Sequence, residues 1–158
     1  MNRSMIEFFV FLLVFTVMVV SATLIFDRGS CHQDSDMFRC VTYVDNYDAD
    51  TITVNIPGVH PLLGEGAKIR LRGIDTPELR GSSACEKRKA MEARDYVRGR
   101  LVGKTLKLYD IERGKYFRIV ADLVFDGISL SEELIAKGYG YRYDGGKKEK
   151  KDWCHELL

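Results

Sequence analysis

The pattern of apolar and polar positions divides the chain at its start. Residues 8–26 (FFVFLLVFTVMVVSATLIF) carry no charge and follow Arg3, and the run reaches the length at which an apolar helix crosses a bilayer. Nothing polar marks out one face of it, which argues against an ordinary amphipathic core helix. Two readings remain open: a retained membrane anchor, or a signal peptide cleaved after the small residues Val20-Ser21-Ala22. Both place the rest of the chain outside the cytoplasm, in the periplasm, secreted, or held at a membrane. The expected organisation is an export or anchor segment at 1–29, a linker at 30–37 and one domain at 38–158.

Beyond the linker the period changes to two. Cys40, Thr42 and Val44 alternate, residues 45–49 are turn-rich, and Ile52, Val54 and Ile56 alternate again, which predicts a hairpin. Lys68 to Ile74 resumes the alternation, with Ile69 and Leu71 toward a core and Arg70 and Arg72 away from it. Pro77 ends that strand, since proline donates no ladder hydrogen bond and restricts the residue before it. Residues 86–102 carry Ala90, Ala93, Val97 and Leu101 at helical spacing and stop at Gly103. Two further strands are predicted at 105–111 and 117–125, then a short helix at 129–137. A basic helical turn or two is expected within 147–158. Five strands in the order βββ-α-ββ-α imply an α+β fold: a small OB-like β-barrel with about three helices outside it, preceded by the N-terminal hydrophobic helix.

Composition narrows the partners. Lys and Arg number 24 against 23 Asp and Glu, so a global positive field is absent and any site for a polyanion must be local. Lys147, Lys148, Lys150 and Lys151 read first as a solvated face and only second as a phosphate-steering patch. Four cysteines in an exported chain suggest two disulfides and allow three connectivities. Pairing Cys85 with Cys154, and Cys31 with Cys40, is the working hypothesis because it ties the C-terminal segment beside the loop after Glu78. The other connectivities stay open. Without a CxxC pair, a structural zinc site is not expected.

Three polar clusters carry candidate chemistry: Asp48-Ala49-Asp50-Thr51 at the hairpin turn, Arg70 through Glu78 at a strand end, and Lys115-Tyr116-Phe117-Arg118 before a later strand. Taken singly, each is ordinary turn or surface chemistry. Taken together they supply what phosphodiester hydrolysis needs. Asp50 and Asp75 offer hard oxygen ligands, Arg70 and Arg118 offer planar forks for a phosphate, and Glu78 offers a base.

These segments, in this order and spacing, resemble the signature of the staphylococcal nuclease (thermonuclease) family over roughly residues 38–143. The resemblance implies a calcium-dependent endonuclease acting on DNA and RNA with little sequence preference and leaving 3′-phosphates. It implies that Asp50 and Asp75 ligate Ca2+ through carboxylates and Thr76 through its backbone carbonyl. It further implies that Glu78 orients the attacking water while Arg70 and Arg118 bind the phosphate. Tyr116 and Tyr143 are the candidate substrate-binding aromatics, since stacking is tolerant of base identity. A monomer is expected, with membrane contact only if the first segment is retained. The chain departs from the family pattern at Ala49, Gly114 and Phe117, where glycine, aspartate and glycine are usual. The competing reading is a noncatalytic nucleic-acid or protein-binding module on the same barrel. The presence of Asp50, Asp75, Glu78 and both arginines weighs against it.

Overall fold

Alternating apolar positions become the wall of a closed barrel. In the computed structural model, residues 11–13, 31–80, 83–114, 118–148 and 151–154 are described. The chain divides into two units, Met1–Cys31 and His32–Leu158. Of the first, residues 11–13 are helical and exposed; the rest of the apolar run and its expected cleavage site lie outside the described residues. Among the described residues no helix is long and apolar enough to cross a membrane.

In the second unit, β1 (Met37–Asn46) pairs antiparallel with β2 (Thr51–Asn55), and β2 with β3 (Ala67–Leu71). On its other edge β1 pairs with β5 (Thr105–Arg113), and β5 with β6 (Ile119–Phe125). The barrel closes where β3 runs parallel to β6, with Ile69 opposite Ile119 and Leu71 opposite Ala121. Closure removes the open edges that an exposed sheet would present. Asp126 and Gly127, at φ 50 and 79, then turn the chain into the short β7 (Ile128–Ser129). A two-residue hairpin loop with positive φ at both positions matches strand twist.

Ile52, Val54, Ile69, Leu71, Leu106, Leu108, Leu123 and Phe125 fill the barrel. Each fully buried side chain of this size contributes roughly 1.5–3 kcal/mol by leaving water. The inward face of β1 is set by Val41 and, in part, Tyr43; Thr42 and Val44 are exposed. Thr42 and Val44, which alternate in the sequence, therefore lie on the outer face. Irregular pairing between Phe38 and Val41, and between Tyr43 and Asp45, shifts the register there.

Among the described residues of this unit the helices are α1 (Pro61–Gly64), α2 (Ala84–Leu101) and α3 (Leu130–Ala136), outside or beside the barrel. Ser83 caps α2 by accepting from the Glu86 N–H, and Ala90, Ala93, Val97 and Leu101 are its buried stripe. Several features lie beyond the expected pattern, α1 and β7 among them, and the strand expected over 68–74 is broken after Leu71. Residues Ile74–Asp75 form β4, which pairs with β8 (Tyr141–Arg142), Asp75 facing Tyr141. The described residues after 146 form bends, turns and irregular chain, held by contacts of Lys148, Trp153 and Cys154; residues 149–150 and 155–158 of the expected helical segment lie outside the described residues.

Candidate active site

The hairpin between β1 and β2 aims the first carboxylate. Asp48 Oδ1 accepts the backbone N–H groups of Asp50 at 3.3 Å and Thr51 at 2.7 Å, closing the turn locally. Asn46 ties the same turn to α2, donating to the Asp48 carbonyl at 2.8 Å and the Arg94 carbonyl at 3.1 Å. Ala49 is buried and is not among the residues with positive φ, so alanine sits here without the strain that a left-handed backbone would impose. Gly73, at φ 74, makes the turn between β3 and β4 that returns Asp75 and Thr76 toward Asp50.

Arg70 stands between the two carboxylates. Its Nη1 lies 2.6 Å from Asp50 Oδ2 and its Nη2 lies 3.0 Å from Asp75 Oδ1. Thr76 donates to the same Asp50 oxygen from its backbone N–H at 3.2 Å and its hydroxyl at 2.9 Å. Burial pushes the Asp50 carboxyl up to about 6, against the opposing pull of the Arg70 guanidinium. On the far side, the Tyr141 hydroxyl donates to Asp75 Oδ2 at 3.0 Å. Burial and the neighbouring Asp75 charge push that phenol up to about 12.

Lys148 completes the cluster. Its Nζ lies 2.9 Å from Asp75 Oδ1 and 2.9 Å from Glu78 Oε1. Partial burial alone would lower its pKa, but the hydrogen bonds to Asp75 and Glu78 outweigh that and raise it. The reading of this lysine as part of a solvated face is thus corrected: it is an ion-pair partner within the site. Nothing in the spacing of the lysines singles out Lys148, and no pattern marked Tyr141 over Tyr139 or Tyr143.

These groups open into one cleft of about 650 Å³, lined by Asp50, Arg70, Glu78, Arg118, Tyr143 and Lys148 among others. Asp75 and Thr76 lie buried beside it. Arg118 enters from the start of β6, where its carbonyl accepts from the Gly114 N–H at 2.8 Å. A Cβ on Gly114 would meet Val120 Cγ2 at 2.6 Å, which accounts for glycine at the position where aspartate is usual in the family. Tyr143 hydrogen-bonds the Gly73 carbonyl through its N–H at 3.0 Å and the Gly146 carbonyl through its hydroxyl at 2.7 Å. Tyr116 and Phe117 lie outside the described residues.

A bond between Cys85 and Cys154 joins the start of α2 to the C-terminal segment across a sequence separation of 69. Closing a loop of that size stabilises by about 4 kcal/mol in chain-entropy terms. Cys31 and Cys40 are likewise in disulfide form. The same segment carries Trp153, whose ring centroid is 5.6 Å from that of Tyr141. Lys151 Nζ sits over both rings, at 5.2 and 5.9 Å from their centroids.

The family model "Staphylococcal nuclease homologue" matches the chain over residues 68–157. The chain belongs to this family. A probable staphylococcal-like nuclease of Oryza sativa subsp. japonica is 37% identical over 82 residues, covering 52% of this chain and 23% of its own length. Probable endonucleases of Schizophyllum commune and Schizosaccharomyces pombe are 30% and 28% identical, over 48% and 53% of this chain and 30% and 40% of their own. This chain therefore spans less than half the length of each of these relatives. The closed barrel with its few helices is the staphylococcal nuclease, OB-like architecture, and the domain is nuclease-like.

The donor chemistry of the site suits a hard cation. The side chains of Asp50 and Asp75 present only oxygen and both are nearly buried. Among the described residues no three His, Cys, Asp or Glu side chains converge as a ready cage. A cation here would rely on two carboxylates, backbone oxygen and water, which is within the habit of calcium.

Proposed function

We propose that this chain is a calcium-dependent nuclease that hydrolyses phosphodiester bonds of DNA and RNA and leaves 3′-phosphates. The observation that carries the reading is the bridging of Asp50 and Asp75 by Arg70 at the edge of a cleft that Glu78 and Arg118 also line. Asp50, Asp75 and the Thr76 carbonyl would hold the ion, which supplies polarisation of a phosphoryl oxygen and an oriented water. Arg70 and Arg118 bind the phosphate oxygens and meet the charge that grows as phosphorus becomes five-coordinate. Glu78, exposed at the mouth of the cleft, accepts a proton from the attacking water. Tyr143 lines the same cleft and offers a ring for a nucleobase. The net charge of +1 concentrates anion recognition in the two arginines of the cleft, in keeping with a substrate recognised through its backbone.

The apolar segment at 8–26 and the disulfides support action outside the cytoplasm, on nucleic acid met there. Digestion of single-stranded DNA, duplex DNA and RNA by the protein in calcium, magnesium or excess chelator tests the proposal. Cleavage in calcium, weaker cleavage in magnesium and none in chelator is the expected result. Equal cleavage in chelator would overturn the metal assignment, and no cleavage in any condition would overturn the activity.

A further inference from the structure

Lys148 occupies the place in the cluster that an added cation would contest. Asp50, Asp75 and Glu78 carry three negative charges, and two positive groups, Arg70 and Lys148, stand within 3.0 Å of their oxygens. Asp75 has no uncommitted oxygen. Its Oδ2 accepts from Tyr141 at 3.0 Å, and its Oδ1 is shared by Arg70 at 3.0 Å and Lys148 at 2.9 Å. A calcium ion takes its oxygens at about 2.3–2.6 Å. At Asp75 Oδ1 it would sit against the Lys148 ammonium, and like charges at that distance repel.

We infer that Lys148 is a resident counter-cation of the Asp75–Glu78 pair, and that it competes with a divalent cation for Asp75. Arg70 is anchored to both buried carboxylates and to the Asp50 carbonyl; Lys148 belongs to an irregular segment and its side chain is half exposed. Lys148 is therefore the group that yields. The Cys85–Cys154 bond and the packing of Trp153 on Tyr141 hold this segment near the site, so the displaced ammonium stays local and the competition is reversible. Residue 148 in this way sets the cation concentration at which the site loads. The inference rests on the proposed function only in taking Asp75 as a cation ligand.

Calorimetric titration of the full-length protein with calcium chloride tests it without reference to cleavage. Lys148→Gln is expected to bind calcium about tenfold or more tightly than the parent, the scale on which one contacting charge moves a neighbour's ionisation. Lys148→Met, which keeps the stem and loses the charge, should tighten binding equally, and Lys148→Arg should stay within about threefold of the parent because its charge is kept. Trp153, the single tryptophan of the chain, gives a second readout. Its emission should change on calcium addition in the parent and change less in Lys148→Gln. Equal calcium affinity in the parent and both neutral variants would overturn the role of Lys148 while leaving the cation site standing. Absence of calcium binding in the parent and in every variant would overturn the cation site itself, and this inference with it.

Discussion

Tyr141 donates its hydroxyl to Asp75 Oδ2 at 3.0 Å, and the same two residues are direct partners across the β4–β8 ladder. The backbone pairing thus sets the position of the phenol, and the phenol sets the rotamer of a carboxylate at the centre of the candidate site. With its pKa pushed up to about 12, the hydroxyl remains a donor across the physiological range. Tyr141→Phe removes one hydrogen bond to a charged group, and denaturant unfolding should show a loss of about 1.5–3 kcal/mol. A change within about 0.5 kcal/mol, the scale of an ordinary surface substitution, would mean that Arg70 and Lys148 satisfy Asp75 without it.

Arg118 lines the cleft from the start of β6. If it meets charge that exists only in the transition state, its loss affects turnover more than affinity. Single-turnover cleavage by Arg118→Ala should fall by about 10²–10³ with substrate binding little changed. Arg118→Lys should fall nearly as far, since a point charge does not reproduce a bidentate fork. Near-parental rates in folded Arg118→Lys would leave Arg70 as the acting guanidinium.

Away from the cleft, Glu133 staples α3 to α2. Its carboxylate accepts from the Tyr96 hydroxyl and from Arg100, whose Nε is 2.8 Å away. Burial would raise the Glu133 pKa, but the hydrogen bonds from Tyr96 and Arg100 outweigh it and hold the group below its usual value of 4.5. A carboxyl lowered on folding adds stability above its unfolded pKa and loses it as pH falls through the folded value. Glu133→Gln should therefore be less stable than the parent at pH 7, by about 1–3 kcal/mol. The gap should close as pH falls below about 4.5. Unfolding curves at a series of pH values check this, and a gap independent of pH would show that the ionised carboxylate is not the stabilising form.

Much of the barrel was legible in the chain because its signals are local. The alternation of Ile52 with Val54 and of Ile69 with Leu71 needs only a period of two. The stripe of Ala90, Ala93, Val97 and Leu101 needs only a helical period, and Asp50, Arg70, Asp75, Glu78 and Arg118 stand out because their order and spacing repeat a family pattern. In β1 the alternation held but did not say which face turns inward. Val41 and Tyr43 face the barrel while Thr42 and Val44 face out, and which of two alternating sets is buried depends on the strands beside it.

The sequence by itself determined the five main strands of the barrel, the main helix and the order of charged residues that repeats the family pattern. The tertiary structure alone decided which charges meet. Arg70 reaches Asp50 and Asp75 because the Gly73 turn folds β4 back beside the β1–β2 hairpin. Lys148 reaches Asp75 and Glu78 across 70 or more positions of chain because a two-residue ladder, a tryptophan ring tilted against Tyr141 and a disulfide bring the last segment home. Apart from Arg70 and Asp75, five positions apart, these contacts join groups distant in sequence, where no local preference acts and only the closing of the fold sets the distance.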